Sequence, residues 1–268
     1  MLLKFDFIVS VIGTVLLYVF DVINKIYMIP LIFLAMFLGI ILVWGLSCII
    51  ATRFIDFEKD YDEYSPFYRF YVDCIVQSLN QIFNIKLHVS GEECIPEEKF
   101  LFVCNHRSAM DPLITMSVTK KYNLGFVAKK DIYKIPVISR LMHRSFCLKL
   151  DREDVKRDAL TIIRAGKLVK EQKASIGIYP EGTRNKEEGG LLPFHNGAFK
   201  IGKKAKCPIV VATIKNPELI FKKPFFVRKH VYLDYIGVLD KEFVAEHNTA
   251  EISDTVRDMM LAKINSDR

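Results

Sequence analysis

The sequence predicts an α/β sandwich behind one or two membrane helices, on three observations. Short β-like runs at residues 85–90, 100–104, 125–128, 146–150, 176–179, 209–214 and 231–236 alternate with stretches of helical periodicity, the pattern of helices laid on a sheet. No charged residue occurs between Lys25 and Arg53, and residues 28–52 are long enough to cross a hydrocarbon core of about 30 Å. Polar clusters stand at the ends of three strands, where open α/β sheets gather their ligands.

Residues 7–20 are an earlier charge-free run. It is short for a full span unless residues 22–24 extend it and Asp21 and Lys25, spaced for an i,i+4 pair, reach the headgroups. Trp44 falls near the end of the second run, at the level of an interfacial anchor. The two runs are too long for a cleaved signal peptide, and no small-x-small site precedes a polar start. Residues 1–55 therefore read as a membrane anchor, residues 56–66 as a charged linker ending at Ser65-Pro66, and residues 67–268 as the remaining domain.

The domain opens with an amphipathic helix over residues 67–84, with Phe67, Tyr71, Ile75, Leu79 and Ile82 on one face, expected to pack on the core. Ile85, Leu87 and Val89 alternate with polar residues as an edge strand, which puts His88 on the solvated side. Residues 155–173 predict a helix with Leu160, Ile163, Leu168 and Val169 inward, and residues 251–264 a closing helix with Ile252, Val256, Met259 and Met260 inward.

At 268 residues and 51% apolar, with a net charge of +7, a pI near 9.0 and a mean hydropathy of +0.19, the chain suits a membrane and an anionic partner. The basic residues are scattered rather than gathered in a stripe, which argues against nucleic acid. The six cysteines, at 48, 74, 94, 104, 147 and 207, show neither a C-x-x-C pair nor metal-ligand spacing. Free thiols and no metal site are expected.

The chemistry centres on Asn105-His106-Arg107-Ser108-Ala109-Met110-Asp111-Pro112, a turn between the strand at 100–104 and a helix for which Asp111 is a natural N-cap and Pro112 a natural first residue. Within a continuous helix His106 and Asp111 would lie about 140° apart, so only the turn lets them meet. If they meet, the carboxylate takes the Nδ1 proton and frees Nε2 as a base toward a hydroxyl. Taken alone, H-x-x-x-x-D reads first as a surface turn with a capping aspartate and an incidental histidine. Two further clusters, Asp151-Arg152 and Glu181-Gly182-Thr183-Arg184, change the balance, because arginine forks suit phosphate and Gly182 permits close backbone approach. No G-x-S-x-G elbow is present, and Cys104 lies within a strand, so neither Ser108 nor a cysteine is favoured as a covalent nucleophile.

NHRSAMD, LDR, YPEGTR and CPIVVATI, in that order, resemble the four blocks of the glycerolipid acyltransferases, and look most like those of bacterial 1-acylglycerol-3-phosphate (lysophosphatidate) acyltransferases. The resemblance covers roughly residues 85–235. It implies a mixed β-sheet flanked by helices, with His106 and Asp111 catalytic, and Arg152, Glu181, Gly182, Thr183 and Arg184 binding the substrate. Residues 208–213 would shape the acyl channel or support the site. The chain departs from the blocks at Phe146, Lys149 and Val211.

The implied reaction moves a fatty acyl group from acyl-coenzyme A or acyl carrier protein to lysophosphatidate, without a cofactor, at the cell membrane with the catalytic domain on the cytoplasmic side. The alternatives are glycerol 3-phosphate or another lysophospholipid as acceptor, or a non-catalytic membrane lipid-binding protein.

Overall fold

The computed structural model describes every residue except Met1, Asn24, Arg152, Glu153, Glu188, Gly189, Asp267 and Arg268. The chain opens with a helical hairpin, α1 (Leu2–Val19) and α2 (Ile29–Thr52). Both helices are long and apolar enough to cross a membrane. α1 starts earlier than its charge-free run suggests and carries Lys4 and Asp6 in its first turns. Asp21 lies beyond it with φ 60°, so Asp21 and Lys25 do not form a helical pair. Trp44 is not an isolated interfacial anchor, because its ring lies 6.1 Å from that of Tyr71 in α3 (Pro66–Ile82) and joins α2 to the domain.

The linker is pinned. Arg164 donates to the Tyr61 carbonyl at 3.2 Å and pairs with Asp62. Arg144 Nη1 donates to the Glu63 carbonyl at 2.6 Å.

Seven strands form one sheet: β1 (Ile85–Ser90), β2 (Leu101–Cys104), β3 (Gly125–Lys129), β4 (Leu148–Leu150), β5 (Ile176–Ile178), β6 (Ile209–Lys215) and β7 (Lys229–Leu239). Their order is β1-β7-β6-β2-β5-β3-β4. β6 and β7 pair antiparallel and every other pair is parallel. The sheet is therefore mixed, with β1 at one edge as its alternation predicts. The five strands β6, β2, β5, β3 and β4 point the same way, so their C-terminal ends share one rim.

Alternate residues face opposite layers. Phe102 and Cys104 of β2, with Val210, Ala212 and Ile214 of β6, pack beneath α3, α4 (Asp111–Val118) and α5 (Pro136–Arg144). Leu101 and Val103, with Ile209 and Val211, pack beneath α6 (Val155–Lys170), α7 (Lys200–Ala205), α9 (Lys241–Glu246) and α10 (Thr249–Ser266). Each buried Leu, Phe or Val of this kind is worth about 1.5–3 kcal/mol, which explains why the parallel strands read as continuous apolar runs.

The helices correct two expectations. In α6 only Leu168 and Val169 of the four predicted residues are inward, while Leu160 and Ile163 are 64% and 49% exposed. In α10, Ile252, Val256 and Met260 are buried and Met259 is partly so. β4 begins two residues later than the run at 146–150 suggests, because Phe146 sits at φ 60° and turns its buried ring into the core under α6.

Candidate active site

The turn after β2 carries the candidate chemistry. Asn105 latches it to β6: its side chain accepts from the Ile214 amide at 2.7 Å and donates to the Ile214 carbonyl at 3.1 Å. His106 is held by its backbone on both sides, its amide donating to Glu181 Oε1 at 2.8 Å and its carbonyl accepting from the Asn185 amide at 2.7 Å. Its ring is thereby aimed before any substrate arrives.

His106 Nδ1 lies 2.8 Å from Asp111 Oδ2. The same oxygen accepts the amides of Arg107 at 2.7 Å and Ser108 at 2.8 Å. An oxygen already accepting two amide protons is an acceptor toward the ring as well, so Nδ1 donates and Nε2 is left bare. Asp111 is not the N-cap that its position suggests. It is the first residue of α4, with Met110 as the cap, and its carboxylate binds the amides of the preceding turn instead of those of the helix. Asp111 is fully buried, and burial raises its pKa, an effect that the His106 hydrogen bond and charge and the two amides oppose.

One face of the imidazole lies on Tyr179, with ring centroids 4.3 Å apart and planes 19° apart, and Tyr179 stacks in turn on Phe126 at 5.5 Å. Gly177 makes the stack possible, since a Cβ there would lie 2.3 Å from the Phe126 ring. Phe126 lies outside the motif blocks, and Tyr179 is the first residue of YPEGTR. The signal available in the sequence was the position of Tyr179, at the end of β5 and beside the Pro180-Glu181 turn.

Of the predicted substrate-binding residues, Glu181 has a different place. It is 2% exposed and both oxygens are taken by backbone amides, those of His106 and Leu192. Glu181 so placed props the His106 turn from below. Gly182 turns the chain with φ 64°, in the left-handed region that glycine adopts without strain. Thr183 and Arg184, both exposed, stand with Gly182 and His106 on the wall of one cleft. Arg152 lies outside the described residues; its neighbour Asp151 pairs with Lys130 at 3.0 Å.

That cleft, of about 810 Å³, runs from His106 over the sheet. Val127, Leu150 and Ile178 come from the strands, Ala159, Ile162 and Ile163 from α6, and Lys129, Lys200, Lys204 and His195 stand around it. The exposed Ile163 thus has a place, on an apolar channel wall. Residues 208–213 do not reach the cleft. Residues 209–213 lie in buried β6, and it is the next residue of that strand, Ile214, that receives the Asn105 latch. Cys104 is fully buried and its thiol is pushed well above the ordinary range by desolvation, which removes it as a nucleophile.

Arg107 pairs with Glu218 through two contacts of 3.1 Å and donates to the Glu187 carbonyl at 2.9 Å. This fork joins the His106 turn to the start of α8 (Leu219–Lys222). Burial works against a charge on Glu218, but the Arg107 hydrogen bond and charge outweigh it and hold the carboxyl below its usual range.

The rim of parallel strands thus carries a histidine paired with a buried aspartate beside an apolar channel, an arrangement suited to general-base chemistry on an apolar ligand. A family model described as Acyltransferase matches residues 86–215. The chain is 29% identical over 196 residues to a 1-acyl-sn-glycerol-3-phosphate acyltransferase of Borreliella burgdorferi, covering 72% of this chain and 77% of that one. It is 25% identical over 191 residues to the Saccharomyces cerevisiae enzyme of that name, covering 70% and 63%. A Caenorhabditis elegans relative is matched over 57% of its length. The crystal structure of the 1-acyl-sn-glycerophosphate acyltransferase PlsC from Thermotoga maritima shares the fold, with a TM-score of 0.60, 17% identity, and coverage of 98% and 97%. The chain is thus similar to 1-acylglycerol-3-phosphate acyltransferases, and it spans between 57% and 77% of the length of these three curated relatives.

Proposed function

We propose that this protein transfers a fatty acyl group from acyl-coenzyme A or acyl carrier protein to the free hydroxyl of lysophosphatidate, giving phosphatidic acid. The observation that carries the reading is the 2.8 Å contact of His106 Nδ1 with the buried Asp111, on a ring that borders a largely apolar cleft.

In the proposed step, Nε2 of His106 takes the proton of the acceptor hydroxyl as its oxygen attacks the thioester carbonyl. Asp111 stabilises the imidazolium that forms. The tetrahedral centre collapses, the C–S bond breaks, and the departing thiolate recovers the proton from Nε2. General-base assistance is worth about 10²–10⁴ in rate, so orientation supplies much of the remainder. The latches on Asn105, His106 and Glu181 serve that orientation. Arg184, with the Gly182–Thr183 backbone, is assigned to the acceptor phosphate, and the apolar channel walls to acyl chain.

The test is thiol release from each donor in the presence of lysophosphatidate, with the purified protein and its His106→Ala variant. Acceptor-dependent release that the substitution abolishes is expected, and the productive donor identifies itself. Lysophosphatidate binding with no thiol release from either donor would overturn the reading.

A further inference from the structure

Residues 221–226, Phe-Lys-Lys-Pro-Phe-Phe, are six consecutive exposed positions. Phe221, Phe225 and Phe226 are 60%, 66% and 70% exposed. A single surface phenylalanine needs no explanation, but three in six residues form an apolar patch that does.

The patch is built rather than loose. Lys229 is buried, and its three ammonium protons go to the carbonyls of Phe83 at 2.9 Å, Pro224 at 2.6 Å and Phe225 at 3.2 Å. Asn84 Nδ2 donates to the Phe226 carbonyl at 2.9 Å, and the Val227 amide to that of Pro224 at 3.1 Å. The carbonyls of residues 224, 225 and 226 are therefore all turned inward, while the Phe225 and Phe226 rings remain outside. Burying an ammonium group is unfavourable unless every proton is matched, and here that matching orders the backbone beneath the aromatic surface.

The patch is continuous with the hairpin. The Phe221 ring meets that of Phe83 edge-on at 5.5 Å, just beyond the end of α3. Gln81 and Ile82 at that end share a shallow groove with Leu3, Lys4, Phe7 and Ile8 of α1. The apolar surface thus runs from the loop, by way of Ile82, to the flank of the first candidate membrane helix. Lys222 and Lys223 lie within it. Phenylalanine interleaved with lysine is the composition of a segment seated at an anionic lipid interface.

We propose that residues 221–226 are a second membrane contact, seating Phe221, Phe225 and Phe226 at the headgroup–acyl boundary of an anionic lipid surface, with Lys222 and Lys223 on its phosphates. The proposal rests on the hairpin being embedded in the same bilayer. Glu218, directly before α8, grips Arg107 beside His106, so the contact sets the height of the catalytic turn over the lipid surface.

Trp44 is the chain's one tryptophan, and Trp44→Phe keeps a ring against Tyr71. In that background the full chain is made with Phe225→Trp, Phe226→Trp or Leu38→Trp and added to phosphatidylcholine–phosphatidylglycerol vesicles brominated at shallow or deep acyl positions. Leu38 is an exposed residue of α2 and reports the hairpin. Tryptophan at 225 and 226 is expected to shift to the blue and to be quenched most by shallow bromines, and at 38 to be quenched by deep ones. Unquenched, water-like emission from both loop positions beside a quenched residue 38 overturns the proposal and leaves the hairpin reading standing. Unquenched emission from residue 38 overturns the hairpin reading and the proposal with it. In the Phe226→Trp protein, Lys222→Glu with Lys223→Glu is expected to lower shallow quenching on anionic vesicles to its level on neutral ones; no change would remove the lysines from the contact.

Discussion

At the scale of single residues the site turns on which imidazole nitrogen carries the proton. Asp111 Oδ2 decides this by accepting two amides and the ring at once. Because Asp111 is buried and its pKa is raised, the folded protein binds more protons there than the unfolded chain does. Its contribution to stability is therefore fully present below the unfolded value of about 3.9 and is lost as pH rises through the folded value. Ionising it works against the fold. Asp111→Asn is thus expected to lose at least about 10²-fold in kcat while its Tm at pH 7 is unchanged or higher; a thermal melt beside an activity assay reads both, and a large drop in Tm would contradict this view of the carboxylate. Arg184 stands exposed at the cleft. Arg184→Ala is expected to raise KM for lysophosphatidate by about 10–100-fold with kcat less affected, the loss of one charge-assisted contact of about 1.5–3 kcal/mol.

At the scale of elements the strand ends act through their supports. Gly177 leaves room for Phe126, on which Tyr179 and then His106 stack. Gly177→Ala is expected to destabilise the protein by about 1–3 kcal/mol through overpacking and to lower kcat, as denaturant unfolding and turnover measured side by side would register. The Arg107–Glu218 fork adds a charged tie between the turn after β2 and the segment after β6. With the Glu218 pKa held low, its stabilisation is present above the unfolded value of about 4.3 and is lost as pH falls through the folded one. The stability gap between the wild type and Glu218→Gln should therefore be open at pH 7 and close in acid, and a gap independent of pH would show that the pair contributes nothing through its charge.

At the scale of the whole molecule, the hairpin and domain are tied by more than chain connectivity. Trp44 meets Tyr71, and Arg164 and Arg144 hold the 60–63 segment by side chain and carbonyl. Arg164→Ala is expected to expose this segment, so that limited trypsin digestion at Lys59 quickens several-fold; an unchanged rate would mean that the other contacts suffice. The net charge of +7 and the lipid-sized cleft suit work at an anionic surface. The order of the parallel strands brings the ends of β2 and β5 to one rim of the sheet, so the histidine turn and the Gly182–Arg184 turn face one cleft though they lie far apart in the chain.

The sequence by itself determined the alternation of strand and helix, the two apolar runs and a spacing that allows His106 to meet Asp111. Each of these is written in local periodicity or in a short spacing that a turn can close. Only the tertiary structure decided that Glu181 accepts the amides of His106 and Leu192, that Leu160 and Ile163 face outward from α6, that residues 209–213 lie in a buried strand away from the cleft, and that Tyr179, Arg107 and Glu218 surround His106. These facts depend on which residues distant in sequence come into contact. A carboxylate, a ring or a strand has the same local pattern whether its neighbour is a ligand, a backbone amide or another ring, and the neighbour is set by strand order and packing.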